Sequence, residues 1–391
     1  MEKRSKYTTT LNKLISGAPQ VKIDGLFTDS RQYVENGIFF CVKGLVNDGH
    51  KYVKDAISNG AVCIVYSDDL ASYDDQVYYL KVEDVLESLN NIAAAFYHYP
   101  SQNLEIFAVT GTNGKTTASS ILKNILDKFK KTGYIGTINI EYDNKSIRTN
   151  HTTPDVLELQ KVLADMVEAG VEAVAIEVSS HALEQKRVLA LEVDYAMYTN
   201  LSHDHLDYHG NMDNYFLAKS KLFSSLVSGA MGIINIDDDF GEKMLEKCSA
   251  PTVTYAIDQS ADYQAVDVEY FKDNTKFKLK YNNKSYNVET SLVAKFNIYN
   301  LLAVIAALSE SGLDINEVIL SLSHINQVDG RVEKIDLGQP FTTIVDYAHT
   351  PDSFDKILSY ASEIKGDKRI ITVFGSAGER DILKRKMLGE V

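Results

Sequence analysis

The run Val109-Thr110-Gly111-Thr112-Asn113-Gly114-Lys115-Thr116-Thr117 stands between an apolar stretch of strand type, LEIFAVT, and a stretch of helical periodicity, ASSILKNILDKF. A glycine-rich turn that opens a helix suits phosphate. Its backbone N–H groups can wrap the oxygens, the helix N-terminus favours negative charge, the Lys115 ammonium can reach the outer phosphates, and the Thr116 hydroxyl can hold magnesium. Gly111, Thr112, Asn113, Gly114, Lys115, Thr116 and Thr117 are therefore expected to border ATP. The run departs from the general GxxxxGK[ST] pattern in one place, since Val109 stands where its first glycine would fall.

Glu177 closes a second strand-type run, VEAVAIEV, and is followed by Ser179-Ser180-His181. Ligands of parallel sheets bind at the carboxyl ends of strands, so this carboxylate is placed to reach a metal beside the phosphate loop. Taken alone it reads equally well as a solvated loop residue. The next run ends at Asn200 and enters Leu201-Ser202-His203-Asp204-His205-Leu206-Asp207-Tyr208-His209-Gly210. Histidines and aspartates packed this densely suggest metal ligation. A structural zinc site usually draws on thiolates, which are missing here, and oxygen-rich surroundings suit magnesium better. Lys219 follows in a helical stretch, where its spacing alone makes it a surface lysine.

These residues need a scaffold that brings strand ends together. Residues 21–100 alternate short apolar runs (GIFFCV, AVCIVY, VYYLKV) with turns and one amphipathic stretch, DVLESLNNIAAAFYHY, that predicts a helix ending before Pro100. From residue 103 strand-type runs alternate with long helical patterns, which indicates a parallel sheet covered on both faces. Residues 276–293 read as a hairpin on its margin, followed by the helix NIYNLLAVIAALSESG. A third unit opens near Val328 with a strand in FTTIVDYA, a helix from Pro351 and a strand in RIITVFG. The expected architecture is thus α/β in three domains: 1–102 small and mixed, 103–328 a phosphate-loop parallel-sheet domain, and 329–391 the start of a Rossmann-like domain, with too few strands to close a doubly wound sheet.

Composition narrows the function. The 391 residues carry a net charge of −14, which argues against general nucleic-acid affinity. No uninterrupted apolar run reaches a membrane span and no signal-peptide core follows the first residues, so a cytoplasmic location without membrane insertion is expected. Cys41, Cys63 and Cys248 lie far apart, without the spacing of a thiolate metal site.

Taken in order, TGTNGKTT, EVSSHAL, TNLSHDHLDYHG with Ala218-Lys219 in the next helix, FNIYN, DGR and DYAHTPDS resemble the Mur ligase superfamily over essentially the whole chain. The opening Thr28-Asp29-Ser30-Arg31, Gly37-Ile38-Phe39-Phe40, Gly44 and Asp48-Gly49-His50 resemble the uridine-nucleotide domain of its MurE branch. The resemblance implies an ATP-dependent amide ligase that adds an amino acid to UDP-MurNAc-L-Ala-D-Glu through an acyl phosphate, with small-molecule substrates and no protein partner implied. It implies two magnesium ions and a CO2-derived carbamate on Lys219, with Glu177, His205 and Thr116 as further metal ligands. Asn297, Asn300, Arg331, Asp346 and His349 match positions bordering ATP; by itself Asn300, within an apolar helix, could equally serve only backbone groups. Ser30, Thr152, Thr153, Ser179, Gln185 and Arg187 match positions that hold the nucleotide-linked dipeptide. Arg380, in GSAGERD, matches the arginine that meets the incoming amino acid, and that segment leans toward L-lysine over meso-diaminopimelate. Another ligase of the superfamily, such as MurF, and a nucleotide-binding module without catalysis are the alternatives.

Overall fold

The strand and helix signals resolve into two separately packed units. The computed structural model describes residues 6–44, 47–271, 273–323, 325, 327–375 and 382–391. The first unit runs through Leu104 and takes in Pro154–Gly170 and Glu184–Leu191; the second comprises Glu105–Thr153, Val171–Leu183 and Glu192–Val391.

In the first unit the strands Gly25–Phe27, Gly37–Phe40, Ala61–Tyr66 and Tyr78–Lys81 form a parallel sheet in chain order. The period-two alternation of a strand decides its two faces. Ile38, Phe40, Cys63 and Val65 point to one core, with Leu89, Ile92 and Phe96 of the helix Val85–Phe96. Phe39, Cys41 and Ile64 point to the other, with Val53 and Ala56. Asp84 caps the helix Val85–Phe96 by accepting from Glu87 N at 3.0 Å, and a short 3-10 segment follows at Pro100, whose ring is tolerated in a first helical turn. The helix Val156–Glu168, capped likewise by Asp155, buries Val156 and Ala164 in the same first core.

The second unit is built on an eleven-stranded sheet. Its parallel part runs, in spatial order, Thr132–Ile135, Ala173–Glu177, Glu105–Thr110, Tyr195–Tyr198, Met231–Asn235, Thr252–Ala256 and Tyr263–Tyr270. Antiparallel strands close both margins, including the expected hairpin, Thr275–Tyr281 with Lys284–Thr290. Ala173–Glu177 is buried at every residue, as a parallel strand covered on both faces must be. The helices Lys115–Leu126 and Lys295–Glu310 pack together over one face of the sheet, and apolar contact there includes Phe107, Val109, Ile121, Leu301 and Ile305.

Beyond Val328 the strands Glu333–Ile335 and Thr343–Val345 pair antiparallel, and Thr350 with Ser353 forms a capping box at the helix Pro351–Ile364. The run RIITVFG departs from expectation. Residues 370–375 join no ladder, and Ile371 and Val373 stand exposed. Apolar β-propensity makes a strand only where a neighbouring strand accepts its hydrogen bonds. Among the described residues none pairs with this run. No helix of the described residues is long and apolar enough to cross a membrane.

Candidate active site

The strand Glu105–Thr110 delivers the phosphate loop to the carboxyl edge of the sheet, and Gly114 turns it into the helix Lys115–Leu126. Gly114 sits at φ +89°, a left-handed conformation that glycine adopts without strain, and a Cβ there would overlap Asn300 Oδ1. No side chain caps this helix, so its first N–H groups remain turned to the loop, the arrangement that receives phosphate oxygens. Thr199 Oγ1 and Asn200 Nδ2 donate to Asn113 O at 2.6 and 3.1 Å, and Asn113 N donates to Asn200 Oδ1 at 3.0 Å. The loop is thereby tied to the end of the adjacent strand.

Two lysines meet at this loop. Lys115 Nζ donates to Gly111 O and Thr112 O, both at 2.9 Å, and Lys219 Nζ donates to the same Gly111 O at 2.7 Å. Lys219 also lies 4.6 Å over the Tyr215 ring. The surface position that its spacing alone suggested is therefore overturned: Lys219 is 1% exposed. Its helix, Met212–Ser224, buries the stripe Tyr215, Ala218, Lys219 and Leu222, so the lysine lies on the inward face. Burial pushes its ammonium well below the usual lysine range, and Lys115 pushes the same way. Burial also lowers Lys115.

Glu177 is likewise no solvated loop residue. It is fully buried, with Tyr134 OH at 2.6 Å and Thr137 N at 2.9 Å on Oε1, and Thr116 Oγ1 and Thr137 Oγ1 each at 3.0 Å on Oε2. Arg331 Nη2 donates to Thr116 Oγ1 at 3.1 Å, which brings the DGR segment to the phosphate loop. Thr153 Oγ1 donates to Glu177 O at 2.8 Å and accepts from Ser179 N at 3.0 Å, while Thr152 Oγ1 lies 3.0 Å from Thr137 Oγ1. Thr152, Thr153 and Ser179 thus gather around Glu177.

His205 takes φ +53° at the start of the short helix Leu206–His209, with its ring edge-on to His181 at 4.8 Å. Its Nε2 lies 3.5 Å from Asp204 Oδ2. Burial holds its imidazole down at about 4, against the opposing pull of Asp204, so at neutral pH a ring nitrogen lone pair is available to a metal. The sign follows. An unfolded histidine takes up a proton as pH falls through 6.5, whereas this one resists until about 4. Stability is expected to fall between those values, and a urea midpoint that does not decrease from pH 7 to pH 5 in His205→Gln-corrected comparison would contradict it.

Asn113, Gly114, Asn300, Arg331, Asp346 and Lys356 are among the residues lining a cleft of ≈ 440 Å³. Asn297 Nδ2 donates to Val293 O at 2.8 Å and Asn300 Nδ2 to Asn297 Oδ1 at 3.2 Å, so Asn300 serves a side chain and not the helix backbone. Asp346 accepts from Val332 N and Ala348 N at 2.8 and 2.7 Å, and exposed His349 lies 3.8 Å from Asp204. Sequence reading missed Tyr134, Thr137 and Asp352, whose Oδ2 accepts from Asn113 Nδ2 at 2.8 Å. Nothing in their spacing sets them apart.

Ser30, Gln185 and Arg187 lie in the first unit. Ser30 is buried and its carbonyl accepts from Asn59 Nδ2 at 2.8 Å, beside the exposed Asp29–Arg31 pair. His50 Nε2 accepts from Ser67 N and Asp68 N, which places its proton on Nδ1 toward Asp48 at 2.6 Å. Arg187 donates to Gln185 Oε1 at 3.0 Å through Nε. Arg380 lies outside the described residues.

A phosphate loop at the carboxyl edge of a parallel sheet, with a buried carboxylate, a buried lysine and a half-buried one beside it, defines a nucleotide-dependent phosphoryl-chemistry class. Family models described as Mur ligase middle domain, Mur ligase glutamate ligase domain and Mur ligase family catalytic domain match residues 109–308, 330–391 and 22–97. The chain belongs to the Mur ligase family and has its three-domain fold. It is 40% identical over 374 residues, 94% of this chain and 76% of the relative, to UDP-N-acetylmuramoyl-L-alanyl-D-glutamate--2,6-diaminopimelate ligase of Halalkalibacterium halodurans. The enzyme of that name from Geobacillus kaustophilus is also 40% identical, over 376 residues, 94% of this chain and 76% of the relative. A solved structure of a ligase with that name superposes with a TM-score of 0.78 at 29% identity, covering 98% of this chain and 80% of the other. MurF ligase from Thermotoga maritima in complex with ADP shares the fold, with a TM-score of 0.59 at 19% identity over 85% of this chain and 73% of the other. The chain is accordingly an enzyme of the MurE ligase type.

Proposed function

We propose that this enzyme joins a diamino acid to UDP-MurNAc-L-Ala-D-Glu, driven by ATP, in the synthesis of peptidoglycan precursors. The observation that carries the reading is the meeting of Lys115 and Lys219 at one carbonyl of the phosphate loop, in the same unit as the buried Glu177–Thr116 pair. On this reading residues 1–102 hold the uridine nucleotide through Ser30, residues 103–328 hold ATP, and residues 329–391 bring Arg331, Asp346 and His349 to it and Arg380 to the amino acid. Thr152, Thr153, Ser179, Gln185 and Arg187 hold the dipeptide, whose carboxylate and amide groups suit hydroxyls and a guanidinium.

In the first step a substrate carboxylate oxygen bonds to the γ-phosphorus of ATP as the bond to ADP breaks, leaving an acyl phosphate. Lys115 follows the charge on the transferring group, and the loop N–H groups keep it in line. In the second step the amino-acid nitrogen bonds to the acyl carbon, phosphate leaves, and the nitrogen loses a proton. Phosphate replaces hydroxide as leaving group, which is the purpose of activation.

The donors present fit a divalent cation. Glu177 and Thr116 offer oxygens 3.0 Å apart, and His205 offers a neutral nitrogen. Addition to CO2 takes the neutral amine and gives a carbamate and a proton; burial shifts Lys219 toward that form, which suits it to become an anionic oxygen donor. Thr116, Glu177, His205 and that carbamate are the groups that would hold two magnesium ions, which supply charge neutralisation during phosphoryl transfer.

The names of the relatives favour 2,6-diaminopimelate over the L-lysine toward which the sequence leaned. Phosphate release with UDP-MurNAc-L-Ala-D-Glu, ATP and magnesium tests both points. Release should rise at least tenfold on adding meso-diaminopimelate and stay near background with L-lysine or neither. Stimulation by L-lysine alone would reverse the amino-acid assignment, and stimulation by neither would remove the ligase reading.

A further inference from the structure

Glu177 has more donors than any role yet given to its neighbours explains. Tyr134 and Thr137 belong neither to the phosphate loop nor to the residues matched to a substrate, yet they supply three of the four hydrogen bonds to its carboxylate. The sheet puts them there. Thr132–Ile135 pairs in parallel with Ala173–Glu177, Tyr134 opposite Ala175 and Ile135 opposite Ile176, so the turn at Gly136–Thr137 rises beside the carboxylate. Gly136 has no room for a Cβ, which would overlap both the Tyr134 hydroxyl and Glu177 Oε1. Tyr134 is 3% exposed, so its hydroxyl has little water to turn to instead.

The two carboxylate oxygens are held differently. Oε1 faces Tyr134 OH and Thr137 N, while Oε2 faces the two threonine hydroxyls, one of them Thr116 of the phosphate loop. We propose that Tyr134, through its hydroxyl, and Thr137, through its backbone N–H, are positioning residues that pin Oε1, and that Oε2, which meets only the rotatable hydroxyls of Thr116 and Thr137, is the single oxygen Glu177 offers to a divalent cation. The proposal rests on the reading of Glu177 and Thr116 as cation ligands. Partners of a metal-binding group fix its orientation, and their loss commonly weakens metal affinity by roughly tenfold or more. Thr137 has a second consequence. Its hydroxyl carries one proton, which faces both Glu177 Oε2 and Thr152 Oγ1, each 3.0 Å away. The cation ligand and the threonine matched to the dipeptide then share one hydroxyl.

The test is a Mn2+ titration followed by electron paramagnetic resonance, on the full chain with a non-hydrolysable ATP analogue, for the parent, E177Q, Y134F and T137V. Y134F keeps the ring in its packing and T137V keeps the backbone N–H and the side-chain shape, so both should fold, and circular dichroism checks this. Y134F is expected to weaken Mn2+ binding roughly tenfold, with analogue affinity measured without cation unchanged; T137V, which keeps the N–H on Oε1 and loses only a hydroxyl on Oε2, should bind Mn2+ within about twofold of the parent while raising KM for the nucleotide-linked dipeptide. Should E177Q bind Mn2+ as the parent does, the underlying ligand reading is wrong. Should E177Q lose Mn2+ while Y134F stays within about twofold of the parent, or should T137V lose Mn2+ as fully as Y134F, the positioning proposal alone is overturned. A Y134F protein that loses cation-free analogue affinity in the same proportion would also overturn it, because the tyrosine would then be serving general packing.

Discussion

Lys219→Met is expected to lower ligase turnover by about a thousandfold while raising the urea midpoint of the metal-free, bicarbonate-free protein. The first effect follows from the proposed carbamate: methionine fills the volume but offers no oxygen, and loss of charge neutralisation in phosphoryl transfer raises the transition state by roughly 4 kcal/mol. The second follows from burial. An unfolded lysine holds its proton until about 10.5, but the folded site depresses Lys219 well below this. Between those two values the unfolded chain binds a proton that the folded chain refuses, so the fold is penalised as pH falls from 10.5 through that window. Methionine removes the penalty, and Gly111 O keeps Lys115 as a donor. The stability gain should therefore shrink as pH rises toward 10.5. Incubation of the parent with 13C-bicarbonate should give a carbamate signal that the variant lacks. A variant retaining a tenth of parental turnover would remove Lys219 from the chemistry, and an unchanged midpoint would mean that the folded site tolerates the proton.

Lys115→Ala is expected to cost a comparable factor, on the order of a thousandfold in kcat for ADP release, because its ammonium is the one loop cation able to follow charge onto the transferring phosphoryl group. With its Nζ bound to Gly111 O and Thr112 O, the lysine also braces the loop on which it stands. The substitution should therefore raise KM for ATP as well as lower kcat. Lys115→Arg keeps the charge but not the compact shape, and a bulky planar fork does not fit where two backbone carbonyls receive an ammonium, so little rescue is expected. Turnover within tenfold of the parent in Lys115→Ala would show that the backbone N–H groups suffice.

Some features were fixed by the chain order of its residues. The phosphate loop was readable because a strand, a glycine turn, a lysine and a helix must follow one another directly for the backbone to wrap phosphate, and those residues are neighbours in sequence. Parallel strands alternating with helices are readable for the same reason: burial on both faces demands continuous apolar runs such as VEAVAIEV. The marginal hairpin and the helix that stops before Pro100 followed from local turn chemistry. The RIITVFG run shows where local propensity ceases to suffice, since a strand exists only through its neighbour.

Tertiary structure decided what each chemical group experiences. Lys219 looked like a surface lysine because its helix shows no periodicity that marks a lysine as inward; only packing against the loop buries it and lowers its affinity for protons. Asn300 could have served its own helix, and in the fold it meets Asn297 and limits Gly114. Tyr134 and Glu177 stand 43 positions apart in the chain, and the parallel pairing of their strands brings them within 2.6 Å. Sequence determined the kinds of groups that this enzyme carries and the order in which it presents them. Which of them share one carbonyl, one carboxylate or one hydroxyl was decided by strand register and burial, because these set distances and solvation that no spacing along the chain contains.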